Sequence, residues 1–559
     1  MDYYHLNMEE PQVFITEITF NSGESFSFKD SDIVVFTGAN NVGKSQVLRD
    51  IKHYFENPNY HRTIATIINY KREGEINALK ERFIYKEAQY TYENISIHDL
   101  NLIDKWWRGP MYSLSSLFVN HLSTENRLLA ANPATSFDAV ETAPSDPIQK
   151  LYIDDKKEQE ISSLFQNAFD TSIILNRGAG NNIPIHVGTA PKKESGEDRV
   201  SVSYLQKLKQ LPQIQSQGDG MRSFLGILLN VFTSTHTITL IDEPEAFLHP
   251  PQARLLGKML ARNTPNNRQL FISTHSEDFL KGLLDAENQR IKIIRINRVD
   301  DINYINLLSN DDIKTVWKDP ILRYSNILSG LFHSKVIICE SDTDCRFYQA
   351  IMDALHDGEN SISPDVLFTH CGGKQRLKTV VNSLKALNVK TVVVSDIDIL
   401  NDEQTFKDLV TQMGLSWDNL GGHWNSVNQY IKEQRAQLDT EDVKKQIKEV
   451  LDKVSVNVFP SESAKSIKQI VKKASAWSKV KETGKNFFSG NAYNSLVSII
   501  ENCKKRGLFI VPIGELECFY KPDSNHGTKW VNSVLENVDL PTDGELQPAR
   551  DFVKEIIAY

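Results

Sequence analysis

The chain has 559 residues, 40% hydrophobic and 24% charged, with 63 basic and 72 acidic side chains giving a formal net charge of −9. This mix can bury sizeable cores and excludes a wholly disordered, collagen-like or coiled-coil protein; at roughly 150 residues per domain it predicts about three domains. Five cysteines without CxxC pairing (Cys339, Cys345, Cys371, Cys503, Cys518) argue against a disulfide frame or a zinc site, and no run approaches the ~18–20 apolar residues of a membrane helix.

In chain order, Met1-Asp2-Tyr3-Tyr4-His5 lacks the basic and apolar regions of a signal peptide, so a cytoplasmic protein without membrane contact is expected. Strand-like runs follow at Val13–Phe20, Ser25–Phe28 and Ile33–Phe36. Behind the last lies Gly38-Ala39-Asn40-Asn41-Val42-Gly43-Lys44-Ser45, a GxxxxGK[ST] loop. The next helix carries Val47, Leu48, Ile51 and Phe55 on one face and stops by Asn57-Pro58. Such a strand–loop–helix aims backbone N–H groups and a positive helix end at phosphates. Lys44 would reach the β- and γ-phosphates and Ser45 the Mg²⁺, with Gly38, Asn40, Asn41 and Gly43 shaping the loop.

Residues from about 50 to 160 read as mostly helical and irregular, with Trp106, Trp107 and the turn Gly109-Pro110. Strand signals return at Ser172–Leu175 and Ile183–Val187, and Gly188–Gly196 is expected to be an exposed hairpin. From 220 to 300, apolar strands alternate with amphipathic helices, the pattern of a parallel α/β sheet. The strand Ile238–Ile241 ends in Asp242-Glu243, which places Asp242 by the magnesium and Glu243 where it can polarise an attacking water. Leu270–Thr274 is another buried strand, tipped by His275, a candidate γ-phosphate sensor.

A second α/β block begins near 331. Val336–Cys339 delivers Glu340 at a strand end, Asp342 and Asp344 follow in the turn, and Thr391–Ser395 delivers Asp396 and Asp398. Carboxylates converging from two strand ends repel one another unless divalent cations lie among them, and hard oxygen ligands suit Mg²⁺ or Mn²⁺. Such a pair of ions can activate a water and stabilise the leaving oxygen at a phosphodiester. A third strand, Leu508–Ile513, supplies Glu517 as first choice and Glu515 as second, and Lys529 downstream could neutralise phosphoryl charge. Between them, residues 461–510 carry ten Lys/Arg against three Glu, either a solvated helical face or a phosphate-contacting patch with Trp477 and Phe487-Phe488 as aromatic partners.

The first half resembles the ATPase heads of the ABC superfamily. Gln215-Ser216-Gln217-Gly218-Asp219-Gly220, which opens a helix over Met221–Asn230, looks like a degenerate form of their serine–glycine segment, and Glu245-Ala246-Phe247-Leu248-His249-Pro250 looks like the stretch after their acidic pair. The resemblance implies that Ser216 and Gly218 complete the ATP site of a second head, that Asp242 and Glu243 are the acidic pair, and that His275 is the switch. Long coiled-coil arms are absent, unlike cohesin-type members.

The second half resembles the TOPRIM domain of topoisomerases, primases and nucleases. That likeness implies Glu340 as metal ligand and general base, Asp396 and Asp398 as metal ligands, and Asp344 as the acid four residues on; Ser341 departs from the glycine many such domains carry.

An ABC-type head followed directly by TOPRIM is similar to the overcoming-lysogenization-defect (OLD) nucleases, which include the nuclease subunit of Gabija antiphage systems. The expected fold is α/β: a P-loop head over 1–330 with a helical insertion at about 50–160, a Rossmann-like TOPRIM domain over 331–535 with a lysine-rich helical insertion at about 416–505, and a helical tail over 536–559. The resemblance implies an ATP-regulated, Mg²⁺- or Mn²⁺-dependent DNA endonuclease in antiphage defence, paired through its heads into dimers or higher oligomers. A helicase, or a retron reverse transcriptase with its RNA–DNA hybrid, is the further partner it implies. A sensor or scaffold with an inhibited or structural TOPRIM site is the alternative.

Overall fold

A computed structural model describes residues 9–309, 313, 317–318, 326–357, 362–434, 440–472 and 476–559, apart from 58, 87, 141 and 524. Met1–His5 and Pro58, named above, lie outside these residues, as do Lys473 and the side chain of Lys472, two of the ten basic residues of the 461–510 stretch. The chain forms two compact units, residues 1–317 and 318–559.

The first unit opens with β1 (Gln12–Phe20), β2 (Ser25–Ser27), β3 (Ile33–Thr37), α1 (Lys44–Glu56) and β4 (Ala65–Glu73). After it come β5 (Val119–Leu122), α2 (Thr124–Leu129), β6 (Ser172–Leu175), β7 (Ile185–Gly188) and α3 (Asp219–Thr233). It closes with β8 (Ile238–Asp242), α4 (Pro250–Asn263), β9 (Gln269–Ser273), β10 (Ile291–Val299) and β11 (Ile302–Leu307). Six strands make a central sheet in the order β11-β10-β3-β9-β8-β5, parallel except for β11. Its middle strands are covered on both faces, so β3 and β9 are apolar runs buried at every residue.

A smaller antiparallel sheet, β2-β1-β4, is tied to the central one by buried side chains. Gln269 accepts from the Ile15 N–H at 2.9 Å and donates to the Ile15 and Lys29 carbonyls, while the Thr237 hydroxyl donates to the Val13 carbonyl at 2.6 Å. These bonds satisfy the side of β1 that faces away from β4, beyond the reach of the short β2.

Three expectations change here. The segment at 50–160 is not chiefly helical: β4 pairs with β1 along its length, and β5 forms the edge of the central sheet. The cause is partial burial, since within β4 only Ala65 and Ile68 reach the core, which leaves a weak apolar alternation. The run at 183–187 is broken at Pro184, so Asn182–Ile183 pairs with Ala134–Thr135 and β7 pairs with β6. Residues 189–201 are irregular rather than a hairpin, because β7 already finds its partner upstream.

The second unit contains β12 (Lys335–Cys339), α5 (Asp342–Leu355), β13 (Val366–His370), α6 (Leu377–Ala386), β14 (Thr391–Ser395) and α7 (Trp417–Glu433). Four further helices, α8 (Thr440–Asp452), α9 (Ser461–Lys472), α10 (Ala476–Thr483) and α11 (Gly490–Lys504), lead to β15 (Leu508–Ile510), α12 (Thr528–Asn537) and α13 (Gln547–Ala558). The sheet is parallel throughout, in the order β13-β12-β14-β15. Strand β13 was not anticipated; its first three residues are only half buried, as suits an edge.

The lysine-rich stretch is helical, and it is anchored: the Trp424 indole and the Asn428 amide both donate to the Leu400 carbonyl. Phe487 and Phe488 pack on Tyr430, with Phe488 buried and Phe487 half-buried. Helix α13 is no loose tail. Phe552 stacks among Tyr348, Phe509 and Phe519 in the same core as the fully buried Trp530. Replacing Phe552 by Ala should therefore destabilise the second unit by about 3 kcal/mol, which urea denaturation of the variant would measure.

Candidate functional site

The first unit gathers a phosphate-binding loop at the ends of β3, β8 and β9. Gly38 has φ +142°, and a Cβ there would fall 2.2 Å from the Ile296 carbonyl oxygen; Gly43, at φ +98°, likewise needs the left-handed region. The Lys44 ammonium donates to the Gly38 and Ala39 carbonyls at 2.7 Å each, and Asn40 and Asn41 are exposed on the loop. No acidic residue lies in the first turn of α1, so its positive end faces the loop uncompensated.

The Ser45 hydroxyl donates to the Asp242 carboxylate at 2.7 Å, and Ser273 donates to the same oxygen. Hydroxyl and carboxylate thus meet as hard donors, a set that fits Mg²⁺. Glu243 sits beyond, in the left-handed region at φ +48°, its N–H bonded to the Ser273 carbonyl. Its carboxylate lies 3.4 Å from His275 Nε2. Burial and the neighbouring Lys44 charge push the His275 pKa down. Glu245 accepts the His275 N–H at 2.7 Å.

Ser216 and Gly218 form no hydrogen bond with the phosphate-binding loop of this unit among the described residues. Ser216 donates to the Gln213 carbonyl, and Gly218 is the exposed cap of α3, with nothing within 4 Å of the Cβ it lacks.

The second unit gathers carboxylates at the ends of β12 and β14. The Ser395 hydroxyl donates to Glu340 Oε1 at 2.5 Å, and the Asp396 N–H donates to the same oxygen at 3.2 Å. Ser341 is extended (φ −133°) and caps α5 reciprocally with Asp344, so the missing glycine costs nothing at this turn. Burial raises the pKa of Glu340, Asp344 and Asp396, and the neighbouring carboxylates raise them further; Asp396 is held well above the usual range. Three half-buried acids that resist ionisation are a set suited to a hard divalent cation.

Two cations unforeseen in the sequence reach this cluster. Lys374, behind Gly372-Gly373 at the end of β13, lies 3.2 Å from Asp398. Lys481, on α10 of the insertion, lies 3.6 Å from Asp398 and 2.9 Å from Glu515. Burial pulls Lys481 down, yet Asp398 and Glu515 outweigh it and its pKa is raised.

Glu515 and Glu517 both face the cluster region. Their carboxylates and His526 offer three ligand atoms within 4.8 Å of one another, and Glu517 also accepts the Gly527 N–H. Lys529 does not join them: it is exposed in the first turn of α12 and forms no ion pair with the acids among the described residues. Asp342 is half exposed and paired to Arg346. The basic stretch divides in the same way, with Lys481 turned inward, Lys504 bonded to Glu555, and Lys465, Lys468, Lys479, Lys505 and Arg506 exposed.

Comparison with known proteins matches residues 143–280 to the family described as "AAA domain, putative AbiEii toxin, Type IV TA system". Residues 331–398 match "Overcoming lysogenization defect protein-like, TOPRIM domain". The Old nuclease of Escherichia phage P2 is 24% identical over 174 residues, 30% of this chain and 29% of that protein. The OLD nuclease of Thermus scotoductus is 27% identical over 169 residues, 29% of this chain and 30% of that protein. The chain thus spans under a third of the length of each curated relative it matches. An SMC head bound to the C-winged helix domain of ScpA overlaps 55% of this chain and 99% of its own, at 11% identity and a TM-score of 0.34.

These findings define a P-loop ATPase unit joined to a TOPRIM unit. More particularly, the TOPRIM match is to the OLD-like model, and both curated relatives are OLD nucleases to which this chain is similar over under a third of its length.

A carboxylate with a raised pKa lends the fold stability that is present at low pH and lost as pH rises through the raised value. Asp396→Asn should remove that loss. In EDTA at pH 8 the variant should melt higher than the parent by about 2–4 °C, the shift of about 1 kcal/mol in a unit of this size, and the gap should close towards pH 4. Differential scanning calorimetry with and without Mg²⁺ checks this, and only the parent should gain stability from the ion.

Proposed function

We propose that this chain is an ATP-regulated, divalent-metal-dependent DNA endonuclease of antiphage defence, in which the nucleotide state of paired heads gates DNA access to the TOPRIM acids. The observation that carries the reading is the meeting of Glu340 with Ser395 and Asp396 across two parallel strands, with Asp344 and Asp398 beside them.

Glu340, Asp344, Asp396 and Asp398 would hold Mg²⁺ or Mn²⁺, with Glu517 or Glu515 as the further acid. Divalent ions in such a cluster supply water activation and charge neutralisation at a phosphodiester. Ser395 fixes the Glu340 carboxylate so that its second oxygen is free to take a proton from an attacking water. Lys481, held by Asp398 and Glu515, is the ammonium best placed to meet phosphoryl charge, the role expected of Lys529. Exposed Lys465, Lys468 and Lys479 would guide the DNA backbone, a contribution that falls with salt.

In the head, Lys44 and the loop amides would hold the nucleotide phosphates, Ser45 and Asp242 its Mg²⁺, and Glu243 with His275 the attacking water. Ser216 and Gly218, exposed and turned away from their own loop, would contact the nucleotide of a second head. One observation favours the alternative of an inhibited or sensing TOPRIM site: Lys374 and Lys481 both sit on Asp398.

Incubation with supercoiled plasmid and Mg²⁺ or Mn²⁺ separates the two readings. The parent should nick, and Asp396→Ala/Asp398→Ala should nick about 100-fold more slowly or less; equal nicking by both removes the nuclease reading. For the head, Lys44→Ala should lose ATP binding. Glu243→Gln should bind ATP as the parent does, with turnover reduced about 100-fold, as followed by phosphate release. Hydrolysis at the parent's rate by both variants would show the head assignment to be wrong.

A further inference from the structure

Arg127 has no role in the chemistry described above, yet its side chain is among the largest fully buried ones in the chain. It belongs to α2, a short helix capped by the Ser123 hydroxyl, in the segment where sequence reasoning found least. A guanidinium is always charged and offers its donors in a fixed planar fork. Here one arm donates to the Asp242 carbonyl and the other to the Glu243 carbonyl at 3.0 Å and to Thr124 Oγ1. The fork therefore clasps the main chain of the acidic pair from outside, where Glu243 takes its left-handed turn.

The backbone of the same residue touches the helix that begins at the serine–glycine segment. Gly226 of α3 lies so close that a Cβ on it would fall 2.1 Å from the Arg127 carbonyl oxygen. Arg222, one turn earlier on α3, donates to the Leu128 carbonyl at 3.3 Å. A second junction lies at the start of that helix, where a Cβ on Gly220 would fall 2.8 Å from the carbonyl of Phe247, four residues beyond Glu243. With no side chain at Gly220 or Gly226 to act as a cushion, displacement of α3 is passed to the main chain it touches.

We propose that Arg127 is a positioning residue that links the Ser216–Gly218 segment to the acidic turn of the same head, so that engagement of that segment by a second head sets Glu243 for hydrolysis. The inference rests on the reading of Asp242 and Glu243 given above. It assigns to the segment at 124–129 a task beyond packing: α3 receives the contact, α2 carries it, and the guanidinium delivers it to two carbonyls. Contiguity of this kind is tested by whether binding and turnover separate.

The experiment uses the full chain and four variants: Arg127→Lys, Arg127→Met, Arg222→Met and Glu243→Gln. ATP affinity, ATP-dependent pairing by analytical ultracentrifugation, melting temperature and turnover are measured for each as protein concentration rises. Lysine keeps the charge but loses the fork, so Arg127→Lys should bind ATP within about twofold of the parent, pair as the parent does, and turn over about tenfold more slowly or less. The rise in rate on pairing should be lost with it. Arg222→Met, which loosens the same junction from a less buried position, should show the same split to a smaller degree, and it decides the matter if both Arg127 variants fail to fold. Arg127→Lys or Arg222→Met turning over like the parent, while Glu243→Gln is inactive, overturns the proposal and leaves the head assignment standing. Full turnover by Glu243→Gln overturns the assignment on which it rests.

Discussion

The second unit is organised around one electrostatic constraint: Glu340 and Asp396 end neighbouring parallel strands and are half-buried together with Asp344. Parallel strands place their ends side by side at a sheet edge, and the Ser395 hydroxyl and Asp396 amide turn both donors onto one Glu340 oxygen. Hydrogen bonds can orient this carboxylate without cancelling its charge. The remainder is met in part by Lys374, which settles on Asp398, and by Lys481, which settles on Asp398 and Glu515. The arrangement leaves Glu340, Asp344 and Asp396, the acids without an ammonium partner among the described residues, as the place where added positive charge is worth most.

The same construction recurs in the first unit with different chemistry. Asp242 also ends a parallel strand, and it too is held by hydroxyls, from Ser45 and Ser273. In each unit a serine fixes an acid whose other oxygens stay open, so rigidity is obtained without using up the groups that would act. The units differ in how the backbone is braced. Around Glu340 a regular sheet suffices, whereas Glu243 lies in a left-handed turn that two carbonyl contacts from a buried arginine hold in place.

The motifs that carry chemistry were readable because each follows a fully buried strand. An apolar run ending in Asp242-Glu243, Glu340 or Asp396-Ile397-Asp398 has one reading, since consecutive acids cannot continue a core. The loop Gly38–Ser45 was equally plain. What stayed hidden was half buried or brought together by tertiary folding alone. Strand β4 shows the sheet only two core residues, and β13 is an edge, so neither carries a strong period. Arg127 looks like any polar helical residue until its carbonyl partners, more than 100 positions away, are known. Lys481 was one of ten basic residues in a solvated-looking run, and only the docking of α10 singles it out from Lys479 two positions earlier. Lys374 follows Gly372 and Gly373, both at positive φ behind a third strand end, a feature that the sequence analysis did not single out.

The acids and ammoniums of the second unit come from residues as far apart as 340 and 517, with the insertion between them supplying Lys481. Contacts of that sequence separation form slowly, because a long loop must close before any of them is rewarded. During synthesis, β12 and β14 can pair while β15 and the helices before it are still missing, leaving Glu340 and Asp396 together but without Lys481 or Glu515. A nascent chain would therefore hold a half-built, over-charged strand edge, and the mature arrangement would appear only when the last strand docks. Assembled this way, the carboxylate cluster gains its last acids and ammoniums only when the polypeptide is nearly finished, so its final charge balance is a late event in folding.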